Sequence, residues 1–212
     1  MKIFLAAFLI ITSVIIKAQS ASDEVVPVKQ LIPDIGLDLR YSTENNFTNQ
    51  KLYTVGEAYL SIGAINMLKI VHDSLKHIAS YNGINYPKGL GIKIFDGYRP
   101  RSVQYVMFEI FPDPNFVADP NSGSIHNRGG AVDVSIIDMA TGQEIPMPTE
   151  FDWFGPEAYH SYMNLPANII ANRTLLYNMM VQVGGFVPYD IEWWHYTISG
   201  ASSLPLLDFQ MK

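Results

Sequence analysis

Cysteine is absent from all 212 residues, so the chain can build no disulfide, thiolate nucleophile, zinc finger or iron–sulfur cluster. Any metal must then be held by histidine and carboxylate. Charge is also scarce. Charged residues make up 16% and hydrophobic ones 48%, against about 25% charged in an average globular chain, which excludes a disordered polyelectrolyte. The 14 basic residues are outnumbered by 20 acidic ones and form no run. A net charge of −6 therefore excludes a general nucleic-acid binder, which needs a basic face to displace counterions from phosphates. A membrane-spanning stretch is missing too: the apolar run Ile3 to Ile16 stops at Lys17, short of the ~20 residues that cross a bilayer.

That run, with Lys2 before it and small and polar residues from Ala18 to Ala21 after it, reads as a secretory signal peptide over residues 1–19. No cysteine follows it, which excludes a lipid-anchored lipoprotein. Cleavage near Gln19 removes Lys2 and Lys17 and takes the charge from −6 to about −8. The expectation is an exported, periplasmic protein with no stable membrane insertion after cleavage. Residues 20–212 then form one domain, since no repeat or linker divides them.

Apolar residues at Ala58, Ile62, Ile65, Leu68, Val71, Leu75 and Ile78 recur every three or four positions and predict a helix from Val55 to Ala79. A second helix is expected over Ser102 to Phe111. A third runs from Pro166 to Val183, opened by proline and closed by Gly184 and Gly185. Leu90 to Phe95, Ala131 to Ile137 and Ile191 to Ile198 alternate or are rich in β-branched and aromatic residues and read as strands. The order mixes helix and strand without regular βαβ alternation, so the fold class is α+β: a central, mostly antiparallel sheet packed by helices.

Two of the five histidines have unusual neighbours. His126 lies in GSIHNRGGAVDVSI, a pattern S-x-H-x-x-G-x-A-x-D that also contains Ser124 and Asp133, and His195 lies in EWWH, three residues after Glu192. Seven positions separate His126 from Asp133, so on one unbroken strand they would face opposite ways. Gly129 and Gly130 can turn the chain and let them converge. Glu192 and His195 also differ in parity, and can share a cavity only at a strand end, bulge or turn. If they converge, His126, Asp133 and His195 make a three-ligand N/O set suited to one Zn²⁺ with a coordination position left open. Glu192 is then the spare carboxylate, free to act as general base. Taken singly, the same residues read as a loop histidine, a turn cap and a surface charge.

Arg99, in FDGYRP, sits at a strand end, where it can stabilise an oxyanion or simply pair with Asp96. Asp152, in FDWF, is a carboxylate among aromatics; it caps a helix beginning near Pro156 or binds a cation. Trp193 and Trp194 read as one core residue and one pocket wall, and Tyr98 as packing. His72, His77 and His160 have no companion carboxylate pattern and are taken as non-ligands.

Together GSIHNRGGAVDVSI, EWWHYT, FDGYRP and DLRYSTENNFTNQKLY resemble the zinc-dependent D-alanyl-D-alanine dipeptidases, the group that includes the vancomycin-resistance dipeptidase. The resemblance runs from about Leu31 to about Leu207. It implies a fold shared with the D-Ala-D-Ala carboxypeptidases and the Hedgehog signalling domain. It further implies that His126, Asp133 and His195 hold one zinc, that Glu192 is the base, and that Arg99 polarises the scissile carbonyl. Ser124 and Asp152 would grip the dipeptide substrate, Asp152 facing its ammonium, and Asn45 to Thr48 would lie near the pocket. The signal peptide is a departure from the resistance enzyme, which acts in the cytoplasm. Two rival readings stand beside this one: a periplasmic carboxypeptidase trimming D-Ala from peptidoglycan stem peptides, which should lack a carboxylate at the pocket's closed end, and a non-catalytic zinc-stabilised binding module, which would need neither Glu192 nor Arg99.

Overall fold

The computed structural model describes residues 22–212, and the signal segment expected at 1–19 lies outside them. Nine strands and three α-helices are present among the described residues. The strands are β1 (Val25–Pro27), β2 (Gly36–Leu37), β3 (Tyr59–Ser61), β4 (Ser80–Tyr81), β5 (Ile84–Asn85), β6 (Leu90–Asp96), β7 (Ala131–Asp138), β8 (Val187–Tyr189) and β9 (Glu192–Thr197). The helices are α1 (Ile62–Leu75), α2 (Arg101–Ile110) and α3 (Ala167–Asn178). The main sheet has five strands in the order β2-β6-β7-β9-β8, parallel only between β2 and β6. This is the expected mostly antiparallel α+β architecture. No helix of the described residues is long and apolar enough to cross a membrane.

Ile92 and Ile94 of β6 stand opposite Ile136 and Val134 of β7, and all four are fully buried. They meet the apolar stripe of α1, whose Ala64, Ile65, Leu68, Val71 and Leu75 are also sealed from water. The first helix is shorter than its periodicity suggests. Tyr59–Ser61 pairs with Val25–Pro27 as a strand, and the Ser61 hydroxyl accepts from the Ala64 amide at 3.3 Å, so the helix starts at Ile62. That N-cap satisfies a donor the helix leaves open, and the one periodic residue upstream of it, Ala58, is buried ahead of the strand without being helical. The third helix matches its expected span, but its last turn, Met179–Val183, widens to a π-helix before Gly185 ends it at φ 77°.

A carboxy-terminal segment runs back beneath the loops that follow β6 and precede β7. Leu207 donates to the Asn127 carbonyl at 2.9 Å, Arg101 donates to the Leu207 carbonyl at 3.3 Å, and the Ser102 amide donates to Asp208 at 2.7 Å. Phe209 stacks on Tyr98 at 4.3 Å, whose hydroxyl donates to the Phe209 carbonyl at 3.0 Å. Tyr98 is thus packing, as expected.

Candidate metal centre

Three backbone devices bring the polar residues to one end of the sheet. Asp133 and His195 stand directly opposite on antiparallel β7 and β9, so their side chains share a face. Between Ile94 and Asp96 the β6–β7 register slips, so that Asp96, rather than Phe95, stands opposite Asp133. The third device is the loop before β7. His126–Arg128 forms a 3-10 turn closed by Gly129 at φ 68°, where a Cβ would meet Val25 at 2.5 Å. Only glycine fits that left-handed, crowded position, and the turn returns His126 to Asp133. The β8–β9 hairpin has its own register change between Pro188 and Tyr189, which lets Glu192 and His195 reach the same cavity despite their parity.

His126 Nε2 lies 3.4 Å from Asp133 Oδ2 and 3.2 Å from His195 Nδ1, and His195 Nδ1 lies 2.9 Å from Asp133 Oδ1. One donor atom from each residue falls within 4.8 Å of the others, a group that can hold a metal ion. The Nδ1 of His126 is occupied by the Gly97 carbonyl at 2.7 Å, which leaves Nε2 as the ring nitrogen turned to the cluster. Such a backbone contact fixes the tautomer and ring orientation that metal ligation needs. Glu192 stays outside the three-donor set, its Oε2 3.8 Å from His195 Nδ1.

Arg99 pairs with Asp96, the plainer of its two sequence readings, and also stands at the cavity. Its Nε and Nη2 donate to Asp96 Oδ2 at 3.1 and 2.7 Å, its Nη1 donates to Gln104 at 2.8 Å, and its guanidinium also lines the cavity. Asp96 is in turn held by the Tyr53 hydroxyl at 2.8 Å. A guanidinium has five N–H donors; three are committed here, and two remain for a ligand. Asp152 caps no helix. Residues Pro156–Ala158 form only a 3-10 turn without a side-chain cap, and Asp152 instead accepts from the Tyr41 hydroxyl at 3.0 Å. Its φ of 62° is a left-handed value that aspartate tolerates. Ser124 accepts the His126 amide on its hydroxyl at 3.2 Å.

All seven residues singled out by the sequence, His126, Asp133, His195, Glu192, Arg99, Ser124 and Asp152, line one cavity of about 400 Å³. Trp193 and Trp194 are both buried, and Trp194 walls the cavity. The remaining histidines stay outside it. His72 is buried in α1, where its Nδ1 accepts the Ile92 amide and its Nε2 lies 3.3 Å from Asp34, a carboxylate partner the sequence pattern did not reveal. His160 packs against Tyr177 and Tyr196.

The electrostatics call for cations. Burial alone would raise the Asp133 carboxyl, yet the imidazoles of His126 and His195 hold it far below the usual carboxylate range. Burial, with the Asp133 charge adding to it, pushes Asp152 up to about 8 against the opposing Tyr41 hydrogen bond. Burial first, then Asp133 and Asp152, push Glu192 well above its ordinary value. Three carboxylates thus crowd a cavity whose one lining arginine among the described residues is already paired with a fourth, an arrangement that a metal ion and a ligand cation would relieve.

A family model described as D-ala-D-ala dipeptidase matches residues 21–211. The chain belongs to that family. It is 32% identical over 188 residues to the D-alanyl-D-alanine dipeptidase of Escherichia coli, covering 89% of this chain and 91% of the relative. The dipeptidase of that name from Enterococcus faecium is 26% identical over 187 residues, with 80% and 88% covered. One from Streptomyces coelicolor is 27% identical over 192 residues, with 81% and 89% covered. Family membership makes the protein a peptidase with a metal cofactor, and the His126, Asp133 and His195 cluster is a group that can hold it. Three supports of the site escaped the sequence reading: Tyr41 on Asp152, Gln104 on Arg99, and Asn127. The Asn127 side chain donates to the Arg99 carbonyl at 2.8 Å and accepts the Ser124 amide at 2.7 Å. Tyr41 and Asn127 lie within segments that the sequence had already marked, yet nothing in their spacing distinguishes a support from a spacer.

Proposed function

We propose that the protein is a zinc dipeptidase that hydrolyses D-alanyl-D-alanine to two D-alanines outside the cytoplasm, after removal of residues 1–19. The donor set fits zinc: two imidazoles and a carboxylate, no sulfur, and a clustering tight enough for a four-coordinate ion. Bound there, zinc supplies Lewis acidity and lowers the proton affinity of water. The chain's own residues do the rest. Glu192 accepts the proton of the attacking water on its carboxylate and returns it to the leaving amine. The two uncommitted N–H groups of Arg99 meet the negative charge that grows on the carbonyl oxygen, and Asp96 and Gln104 hold the guanidinium so that no reorganisation is needed at that moment. Asp152 and the Tyr41 hydroxyl receive the substrate ammonium, and Ser124 helps to orient the dipeptide.

One observation carries the dipeptidase reading over the carboxypeptidase one: Asp152 is a half-buried carboxylate in the same cavity as the three metal donors, with a tyrosine as its partner instead of a cation. It suits a free amino group and gives an acylated peptide nothing to bind. Purified protein is expected to contain about one zinc per chain and to release D-alanine from D-Ala-D-Ala, both lost on chelation. Full zinc in His126→Ala or His195→Ala, or no release by zinc-loaded wild type, overturns the proposal. Sequencing the amino terminus of the exported protein checks the address.

A further inference from the structure

The segment Asn45 to Thr48 has no part in the chemistry above, yet it is built with care around one side chain. Asn46 Nδ2 donates to the carbonyls of Arg40, Thr43 and Gln50 at 3.1, 2.8 and 2.9 Å. Its Oδ1 accepts the Thr48 amide at 2.9 Å and the Thr48 hydroxyl at 2.6 Å. A loop cross-braced in this way from within holds its conformation without help from a helix or sheet. What it presents to the cavity is Phe47.

Phe47 stands edge-on to Phe154 at 5.2 Å, and Phe154 in turn packs on Phe116 at 5.0 Å and stacks on Phe111 at 4.6 Å. Phe47, Phe116 and Phe154 come from three separate loops and together form an aromatic wall of the cavity, extended by Met107 and Val117. The wall is at the Asp152 end. Phe154 is two residues beyond Asp152, and Tyr41 touches both the Phe47 ring, at 6.2 Å, and the Asp152 carboxylate. A dipeptide whose ammonium meets Asp152 therefore turns the side chain of its first residue toward these rings. A methyl group cannot reach three aromatic rings spread along a cavity of about 400 Å³, and apolar wall left in contact with water is binding energy unused.

We propose that Phe47, Phe116 and Phe154 form an apolar subsite for the first residue, and that the protein prefers D,D-dipeptides whose first side chain is larger than methyl, such as leucine. This rests on the dipeptidase reading and deepens it, with the Asn46-braced loop as the element that sets selectivity. Methylene groups that fill a hydrophobic pocket raise kcat/KM by about tenfold or more.

Two measurements separate the subsite from the reaction. Zinc-loaded wild type is assayed on D-Ala-D-Ala and D-Leu-D-Ala, and calorimetry on zinc-loaded Glu192→Gln protein reads the affinity for the same two dipeptides without cleavage. D-Leu-D-Ala is expected to exceed D-Ala-D-Ala by at least about tenfold in kcat/KM and in affinity. Phe47→Ala and Phe154→Ala, on different loops, should each move that ratio toward one in folded, zinc-replete protein. Equal or weaker binding of D-Leu-D-Ala, or an unchanged ratio in both variants, overturns the subsite. Absence of turnover on both dipeptides overturns the dipeptidase reading instead, and the calorimetric ratio still decides the subsite.

Discussion

Replacing Arg99 with alanine should do two separable kinds of damage. Asp96 is fully buried and its Oδ2 accepts both Nε and Nη2 of Arg99, so the variant strands a carboxylate in the interior. Breaking a buried pair in this way costs about 3–5 kcal/mol. For a domain of this size each 1 kcal/mol moves Tm by about 2–4 °C, so Tm should fall by roughly 6–20 °C. On the proposed mechanism catalysis should fall independently, because the two uncommitted N–H groups are lost with the side chain. Removing such an oxyanion donor lowers kcat by about 10²–10³. Adding Asp96→Asn distinguishes the two effects. Asparagine removes the stranded charge while keeping an acceptor for the Tyr53 hydroxyl, so the double variant should recover a good part of the lost Tm. It should recover none of the turnover. Thermal melts, zinc content, and D-alanine release measured well below the lowest Tm read all three quantities. Restored kcat in the double variant would show that Arg99 serves folding alone.

Glu192→Gln should keep its zinc and lose about 10²–10⁴ in kcat, since the residue stands outside the three-donor set; loss of zinc on metal analysis would make it a ligand. N-acetylation of D-Ala-D-Ala removes the charge that Asp152 awaits and should lower kcat/KM at least about a hundredfold, with Asp152→Ala narrowing the gap; equal rates on the two substrates would favour the carboxypeptidase. Burial first, with the Arg173 charge adding to it, pushes the half-buried His160 down to about 4 in the folded protein against 6.5 in an unfolded chain. The unfolded chain therefore takes up the proton first, and stability should fall by about 3 kcal/mol as pH drops from about 6.5 to about 4; an unchanged acid slope in denaturant titrations of His160→Phe would refute this. The Tyr196 hydroxyl is buried with no hydrogen-bond partner among the described residues, so Tyr196→Phe should leave Tm unchanged or raise it; a clear fall would reveal a partner such as an internal water.

Much of the site was legible because its parts are local signals. A glycine pair between His126 and Asp133, a parity conflict between Glu192 and His195, and an aspartate hemmed in by aromatics each state a geometric demand, and the chain meets all three with Gly129 in a left-handed turn, a hairpin register change and a tyrosine partner. The long apolar strands β6 and β7 were equally plain. The two-residue β2 and the Pro188-containing β8 were not, because strands so short carry no periodic signal and exist through their neighbours. The overlong first helix has a related cause, since Ala58 is buried just ahead of the three-residue strand β3 and happens to fall on the helical stripe. The β6 slip that sets Asp96 opposite Asp133 leaves no mark in composition, and the Tyr41 to Asp152 contact joins residues 111 positions apart.

The carboxy-terminal segment sets an order of events in time. The loop that carries His126 is braced by Leu207, the arginine-bearing turn is flanked by Tyr98 stacked on a residue 111 positions later, and His195 joins Asp133 across 62 positions. Contacts at such separations form late, because the chain must lose its loop entropy before they return any energy. A chain emerging vectorially therefore offers His126 and Asp133 long before His195, and two donors hold an ion far less firmly than three. The full donor set exists only once β9 has paired with β7, so an ion held by all three residues requires the sheet to have closed.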